Sequence, residues 1–503
     1  LETEFGRKRQ INQSTCNKDY SCVKGFCPSF VTVKGGKLRK AGTQQGELAI
    51  PELPEPMLPL VRQTFNILVT GVGGSGVVTI GQLLGMAAHL ERRPVTTLDM
   101  TGISQKGGAV LSHIRIGAPG ETMTASRVAT GSADAIIGCD LIVTAGEESL
   151  TKMAVGRTKV AVNDAVTPTA TFLRQRDWRY PVGSAQAKLQ AAAGAEHCAF
   201  VDAGSLASKL VGDSIAINPF MLGFAWQRGM LPLSRQALLK AIEINGVAVA
   251  QNHKAFEWGR YAAHDLDGLK RLLSPAQVVA FPARSGGLAQ LIERRAAHLT
   301  DYQNGAYAGR YLKLVERVAQ LEGGVSTHKA LTEAVARNYA KLLAYKDEYE
   351  VGRLYSAPAF REKLAATFEG DYRIEYNLAP PLLARRNARG ELTKMRFGAW
   401  MGLAFRTLAS LRFLRGTVFD VFGYTQERRG ERALIARYEA LMAEALAGLS
   451  ERTLPAAVQI AEVPDQIRGF GHVKEASMKA AHAKWDQLQS LLRGSAGNAR
   501  KVA

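Results

Sequence analysis

A stretch without charged residues, residues 64–90, constrains the fold of this chain most strongly. Its length would suffice for a membrane-spanning helix, which needs roughly 20 apolar residues. Six glycines interrupt the stretch, however, and it opens with the β-rich run 65–69. A strand, a glycine turn and a buried helix over Val77–Leu90 explain this pattern better. We therefore predict a soluble chain with no membrane partner.

The turn between this strand and this helix contains the pattern G-x-G-x-x-G. Glycines there let the backbone approach a phosphate, and the first N–H groups of the helix attract the anion. Asp99 ends the second predicted strand, near where dinucleotide-binding proteins carry a carboxylate for the ribose. A phosphate or nucleotide-like ligand, NAD or FAD in particular, and close packing alone all remain open at this point. The candidate residues are Gly71, Gly73, Gly74, Ser75 and Gly76.

A second glycine loop follows Asp99, where an ordinary βαβ unit would place a helix. The loop continues into a strand-like segment over residues 111–116. Two glycine loops would then lie beyond the carboxyl ends of neighbouring strands, where open α/β sheets bind ligands. Lys106 adds a positive charge there, and a solvated lysine in a surface turn is the alternative. The candidate residues of this loop are Ser104, Gln105, Lys106, Gly107 and Gly108.

Strand and helix patterns alternate from residue 62 to about residue 262. This alternation predicts an α/β domain whose mostly parallel sheet is covered on both faces. The short apolar runs that we predict as strands are residues 67–69, 95–98, 141–144, 160–162 and 200–202. Helical spacing dominates residues 263–503, with one strand candidate at 372–377. We therefore expect a mainly helical C-terminal domain.

Three cysteines, Cys16, Cys22 and Cys27, fall within twelve residues of the basic segment 1–48, and a proline follows the third. Thiolates this close in sequence usually share a metal, and a Cys-Pro ending closes the cysteine run of bacterial iron–sulfur modules. We favour an iron–sulfur module whose other ligands lie upstream, whereas zinc would require a fourth ligand and unligated thiols are the third interpretation. Four prolines in nine residues mark 49–61 as a linker.

The net charge of the chain indicates what kind of partner it binds, and the cysteine count indicates the redox state of its cellular compartment. Lysine and arginine number 64 against 45 acidic residues, a net charge of +19 that implies an anionic or acidic partner. A basic run around Arg396 with Trp400 nearby would suit nucleic acid, but no nucleic-acid motif surrounds it, so we predict no nucleic-acid partner. Five cysteines fit a reducing compartment, and we expect no signal peptide and a cytoplasmic protein. We predict Cys139 and Cys198 as buried structural thiols.

Together, the motifs at residues 16–30, 71–77 and 104–108 resemble the fused indolepyruvate ferredoxin oxidoreductases, of the thiamine-dependent 2-oxoacid:ferredoxin oxidoreductase superfamily. Residues 218–223 and 252–256 fit the end of that family's γ-type domain. The resemblance implies an α/β chain in four parts. These are the C-terminal part of a ferredoxin-like iron–sulfur module (1–48), the linker (49–61), a Rossmann-like γ-type domain (62–262) and a mainly helical C-terminal domain (263–503).

The resemblance also implies a reaction, the oxidative decarboxylation of an aryl 2-oxoacid with coenzyme A to an aryl-acetyl-CoA, CO2 and reduced ferredoxin. It implies [4Fe-4S] clusters with ligands at Cys16, Cys22 and Cys27, and a coenzyme A site at the two glycine loops with Lys106 as a phosphate partner. Thiamine diphosphate and Mg belong to the complete enzyme.

In the family, the thiamine-binding domains precede this region, so no catalytic residue of the thiamine step is assigned to this chain. We expect a part of a larger chain or complex, completed by thiamine-binding domains or a subunit that carries them. Ferredoxin is the expected electron acceptor, and the complete enzyme is expected to be a homo-oligomer. An NAD-dependent Rossmann dehydrogenase and, less favoured, a basic nucleic-acid-binding protein are the alternatives.

Overall fold

The fold was analysed in a computed structural model. It describes residues 18–24, 30–39, 50–74, 76–102, 108–166, 178–273, 287–380, 393–469 and 471–499, together with residues 3, 8, 10, 11, 13 and 16. The chain divides into two compact units. The first unit contains Leu1–Asn17 and Lys40–Val279, and the second contains Lys18–Arg39 and Ala280–Ala503.

Strands occur in both units. In chain order they are β1 (Val31–Lys34), β2 (Lys37–Leu38), β3 (Phe65–Val72), β4 (Val95–Thr101), β5 (Ala109–Ile116), β6 (Ala135–Gly138), β7 (Lys159–Asn163), β8 (Cys198–Val201), β9 (Phe368–Glu369), β10 (Arg373–Leu378) and β11 (Met395–Phe397). The helices of the first unit are Val77–Leu90, Leu141–Thr144, Glu147–Leu150, Val182–Ala193, Ala203–Val211, Ile217–Gln227, Arg235–Asn245, Val249–His264 and Leu266–Leu273. Those of the second unit are Ser21–Lys24, Leu288–Tyr302, Gly305–Gly323, Ala330–Leu343, Glu348–Ser356, Pro358–Thr367, Met401–Ser410, Gln426–Ala447, Leu454–Glu462 and Gly471–Ala499.

A six-stranded sheet with the order β4-β5-β3-β6-β7-β8 forms the centre of the first unit. Successive pairs from β3 to β8 are parallel, and β5 is antiparallel to both of its neighbours. Side chains alternate along β3, so that Ile67 and Val69 face one core and Leu68 faces the other. Helices cover both faces, which confirms the predicted α/β architecture with a mostly parallel sheet.

The uncharged stretch 64–90 forms a strand, a turn and a helix, as predicted. β3 is almost fully buried, and the helix Val77–Leu90 packs on the sheet with seven buried residues. In the part of the chain that the structure describes, no helix is both long and apolar enough to cross a membrane.

One predicted strand is wrong, because Leu141–Thr144 forms a helical turn. Asp140 accepts hydrogen bonds from the N–H groups of Ile142 and Val143 at 2.9 and 3.0 Å and so caps this turn. The strand of this region is β6, which lies just before the cap and is fully buried between β3 and β7. The β-branched residues after Asp140 favour strands, but the cap ends the extended backbone before they are reached.

The second unit is mainly helical, as predicted, and contains one three-stranded sheet with the order β1-β10-β11. The strand candidate at 372–377 is confirmed as β10. β1 and β2 belong to the segment that we predicted as an iron–sulfur module, and they pair with β10 and β9. The module itself stays a prediction, since much of residues 1–48 lies outside the described residues.

The proline-rich residues that we expected to act as a linker lie against the first unit. The carbonyl oxygen of Pro54 accepts a hydrogen bond from Gln227 Nε2 at 2.7 Å. Leu58 packs against the large core of this unit. The described part of the linker is therefore held along the domain that follows it.

Candidate functional site

The glycine turn lies where β3 ends at the carboxyl edge of the sheet. The N–H group of Gly73 donates to the carbonyl oxygen of Gly108 at 2.8 Å. Gly108 is the residue before β5, so this bond extends the β3–β5 ladder by one step past the Val72↔Ala109 pair. The turn and the end of the second glycine loop are thus joined through their backbones.

Only part of the predicted site can be placed. The candidates within the described residues are Gly71, Gly73, Gly74, Gly76 and Gly108. The remaining candidates, Ser75, Ser104, Gln105, Lys106 and Gly107, lie outside the described residues, as does Cys27.

Two glycines of the turn adopt a backbone that other residues rarely adopt. Gly74 and Gly76 have φ angles of +82° and +98°, in the left-handed region that favours glycine. Gly76 is also the N-cap residue of the helix Val77–Leu90, and no described side chain caps that helix. The first N–H groups of a helix without a side-chain cap can bind an anion.

The other two glycines of the turn have close neighbours. A Cβ atom on Gly71 would lie 2.7 Å from Val77 Cγ2, so this glycine serves the packing of the helix on the strand. A Cβ atom on Gly73 would lie 3.3 Å from the carbonyl oxygen of Gly108. Gly73 therefore keeps open the space in which the two loops meet.

The strand order speaks against the dinucleotide interpretation. In dinucleotide-binding sheets the second strand of the βαβ unit lies beside the first, whereas here β5 separates β4 from β3. The two glycine loops thus share an edge, but they do not follow neighbouring strands as we expected. Asp99, the candidate ribose ligand, accepts a hydrogen bond from Ser112 Oγ at 2.5 Å on the adjacent strand.

Polar residues at the ends of β6 and β7 stabilise the same edge. The N–H group of Cys139 donates to the carbonyl oxygen of Thr70 at 2.8 Å, and Asn163 Nδ2 donates to the carbonyl oxygen of Cys139 at 3.1 Å. Asn163 Oδ1 accepts from the N–H group of Ala203 at 3.1 Å. Sequence reasoning missed Asn163, although a polar residue directly after the apolar run 160–162 is the signal that marks this edge.

The four thiols that the structure describes differ in burial. Burial raises the pKa of Cys139 to about 12 and that of Cys198 to about 11, so both are protonated thiols near neutral pH. Cys139 is buried, as predicted, and Cys198 is half-buried; Cys22 is exposed and Cys16 half-buried. A metal ligand must be a thiolate, a form that burial disfavours at Cys139 and Cys198. Over the ranges that the structure describes, no three His, Cys, Asp or Glu residues are grouped as a metal site would require.

Two known families match separate parts of the chain. Residues 66–262 match the family described as "Pyruvate ferredoxin/flavodoxin oxidoreductase". The match is confined to this segment, which is less than half of the chain. The motif-based resemblance is thereby confirmed, and we call residues 66–262 the oxidoreductase domain. Residues 288–487 match a family of unknown function, DUF6537.

Curated relatives of the oxidoreductase domain carry one name. The indolepyruvate oxidoreductase subunit IorB of Thermococcus kodakarensis is 28% identical over 216 residues, which cover 41% of this chain and 98% of the relative. The protein of the same name from Methanothermobacter thermautotrophicus is 28% identical over 201 residues, 40% of this chain and 97% of the relative. A solved structure, the pyruvate oxidoreductase subunit PORC of Thermotoga maritima, is 18% identical, with 40% of this chain and 97% of that chain covered and a TM-score of 0.29.

Proposed function

We propose that this chain is part of an indolepyruvate (aryl-pyruvate):ferredoxin oxidoreductase. The 2-oxoacid anion and the thiol of coenzyme A give an acyl-CoA, CO2, one proton and two electrons, and two one-electron ferredoxins take up the electrons. The C–C bond to the carboxylate breaks and a thioester C–S bond forms. The match of residues 66–262 to the oxidoreductase family and the subunit name of the curated relatives support this proposal.

Within this reaction the oxidoreductase domain binds coenzyme A through the two glycine loops. The observation that carries this assignment is the 2.8 Å bond between the Gly73 N–H group and the Gly108 carbonyl oxygen. It joins two glycines, which have no Cβ atoms, beside the N-terminus of the helix Val77–Leu90, which has no described side-chain cap. Such a surface suits a phosphate group, and Lys106 is proposed as its cationic partner.

The cysteine segment carries electrons out of the enzyme. Cys16, Cys22 and Cys27 are the proposed cluster ligands, together with cysteines from elsewhere in the complete enzyme. Bound [4Fe-4S] clusters would supply one-electron transfer between the oxoacid site and ferredoxin. Thiamine diphosphate with Mg, which supplies the decarboxylation chemistry when bound, is assigned to partner domains or to a partner subunit.

Replacement of Gly73 tests the coenzyme A site. Gly73→Val should raise the calorimetric Kd for coenzyme A by about 10- to 100-fold, because the side chain fills the space beside Gly108 and displaces a backbone that would contact the phosphate. Gly323→Val is the matched control, since a Cβ atom on Gly323 at the end of its helix would meet nothing within 4 Å. Circular dichroism checks that both variants are folded.

An unchanged coenzyme A affinity in folded Gly73→Val would contradict the assignment of the site. Titration of the same variants with NADH tests the dehydrogenase alternative. That alternative requires that the wild-type protein binds NADH and that Gly73→Val abolishes the binding.

A further inference from the structure

The chain segment that follows the cysteines is a strand of the second unit. β1 forms one edge of the order β1-β10-β11 and pairs with β10 over four residues, from Val31↔Tyr376 to Lys34↔Arg373. After a turn, β2 pairs with β9. β9 and β10 both lie within residues 288–487, the segment that matches the family of unknown function. Two sequence segments that belong to different predicted domains therefore share one sheet.

Polar side chains fix the register of this pairing. Asn377 on β10 is 1% exposed, and its Nδ2 donates to Thr32 Oγ1 on β1 at 3.1 Å. Lys34 Nζ lies 2.7 Å from Glu375 Oε1. A buried amide that loses its partner is destabilising, so Asn377 requires the strand that supplies Thr32.

Apolar contacts act in the same direction. Val31 packs against a small cluster whose buried members are Tyr376, Leu378 and Phe405. Next to it, Lys394 Nζ lies 5.9 Å from the ring centre of Phe30. Without β1, this apolar face and the unpaired N–H and C=O groups of β10 would be open to any other strand. The C-terminal domain thus contributes strands and an apolar surface that residues 30–39 cover.

We propose that the C-terminal domain, of which residues 288–487 match a family of unknown function, is the docking platform of β1, the strand that follows the proposed cluster ligand Cys22. The domain takes up β1 by strand addition, in which main-chain bonds give affinity and side-chain pockets give register. Cys22 lies in the turn Ser21–Lys24 of the same unit, nine residues before Val31. This inference rests on the proposed function of the cysteines, and Val31 and Thr32 act in it as positioning residues.

The test places a charge into this contact in the complete enzyme. Val31→Asp should raise the hydrogen exchange of residues 31–34 and of β10 together, roughly tenfold or more, and leave β3 unchanged, because a carboxylate is not tolerated beside the apolar cluster. Ferredoxin reduction should fall severalfold in kcat with an unchanged KM for the 2-oxoacid. Thr32→Val is the milder variant: it removes the Oγ1 acceptor of Asn377 and leaves the longer bond of Asn377 Nδ2 to the carbonyl oxygen of Phe30, at 3.5 Å, in place.

Thr407→Val is the matched control. Its hydroxyl group bonds to Leu403 of its own helix, not to β1, so neither exchange nor kcat should change. Exchange in β10 that is unaffected by Val31→Asp and Thr32→Val would overturn the docking platform. Coupled exchange with undiminished ferredoxin reduction would overturn its role in electron transfer.

A parallel variant separates this proposal from the function on which it rests. Cys22→Ser should lower bound iron and weaken the reduced-state EPR signal, with β10 as protected as before. Unchanged iron and EPR signals in Cys22→Ser would contradict the cluster assignment, and hence the proposed function of the segment, whatever the exchange of β10 shows.

Discussion

At the residue scale, glycines of one motif are required by different neighbours. A Cβ atom on Gly71 would clash with Val77 of the following helix, and one on Gly73 would lie tightly against the backbone of Gly108. Gly76 has a φ angle of +98°, which favours glycine. Local sequence predicts a turn because strand, glycines and helix follow one another directly. The local sequence does not show why each glycine is there. The close approach of Gly73 to Gly108, for example, depends on the pairing of β3 with β5, and these two residues are more than 30 positions apart along the chain.

His113 on β5 is a buried residue that motif reasoning did not find. Its side chain is fully buried, and its Nδ1 accepts a hydrogen bond from the N–H group of Val128 at 3.2 Å. Burial, and then the positive charges of Lys152 and Arg127, lower its pKa to about 4; Glu148 and Asp99 oppose this shift. The imidazole is therefore neutral in the folded protein near pH 7.

This lowered pKa predicts acid sensitivity of the first unit. Unfolded histidine titrates near 6.5, so between that value and about 4 the unfolded state binds a proton that the folded state does not. The free energy of unfolding should thus be undiminished above pH 6.5 and fall by about 3 kcal/mol as the pH approaches 4. Urea unfolding at a series of pH values measures this loss of free energy, and hydrogen exchange in β3 at the same pH values shows whether it arises in the first unit.

His113→Asn is the informative variant, because its amide oxygen can still accept the Val128 N–H bond but does not titrate. This variant should weaken the dependence of the free energy of unfolding on pH. The control His89→Asn, at an exposed position of the same unit, should not. An equal slope in wild type and His113→Asn would show that other groups cause the acid sensitivity.

At the element scale, the helix Val77–Leu90 approaches the sheet through glycine. A Cβ atom on Gly81 would overlap Ser112 Oγ on β5, and one on Gly85 would lie 3.0 Å from Thr97 Cγ2 on β4. The helix bounds follow from the apolar pattern and agree with the sequence prediction. The strand wrongly predicted at 141–144 shows where apolar patterns fail. The strand β6 that pairs with β3 ends at Gly138, and Asp140 then caps a helical turn.

Gly81→Ala should therefore destabilise the first unit by about 1–3 kcal/mol, the usual cost of overpacking. The second substitution Ser112→Ala in the same chain should recover part of that loss, because it removes the atom that the new methyl group meets. Urea unfolding of the two single variants and the double variant gives their coupling free energy.

Gly309→Ala is the control for this experiment. Gly309 also lies within a helix, but a Cβ atom there would meet nothing within 4 Å. Since alanine favours helices over glycine by about 1 kcal/mol, this variant should be stabilised. Destabilisation of both variants to the same extent would contradict the packing explanation.

At the scale of the whole molecule, the sequence did not predict that residues 31–34 pair with a strand of the second unit. The α/β pattern of residues 62–262 and the mainly helical pattern of residues 263–503 follow from their hydrophobic periods. The pairing of β1 with β10 could not be predicted locally, because nothing in the sequence of residues 31–34 or 373–378 indicates which strand each of them pairs with. The site was predicted where glycines and cysteines are concentrated, whereas Asn163 and Asn377 act through distant neighbours.

The net charge of +19 predicts a dependence of electron transfer on salt. Reduction of an acidic ferredoxin should slow by about tenfold between low salt and 1 M, because steering between opposite charges is screened over about 10 Å at 0.1 M and 3 Å at 1 M. An uncharged artificial acceptor is the control. Stopped-flow rates with an equal salt dependence for both acceptors would exclude steering by charge.

The pairing of β1 with β10 also has a consequence for synthesis. Thr32 and Asn377 are 345 residues apart along the chain. Ribosomes add about 5–20 residues per second, so the segment around Cys22 leaves the ribosome roughly 20 to 70 s before its partner strand exists. During that interval β1 and β2 have no partner strands. The pairing that holds residues 31–38 in the second unit can therefore form only late in synthesis, after β9 and β10 have been made.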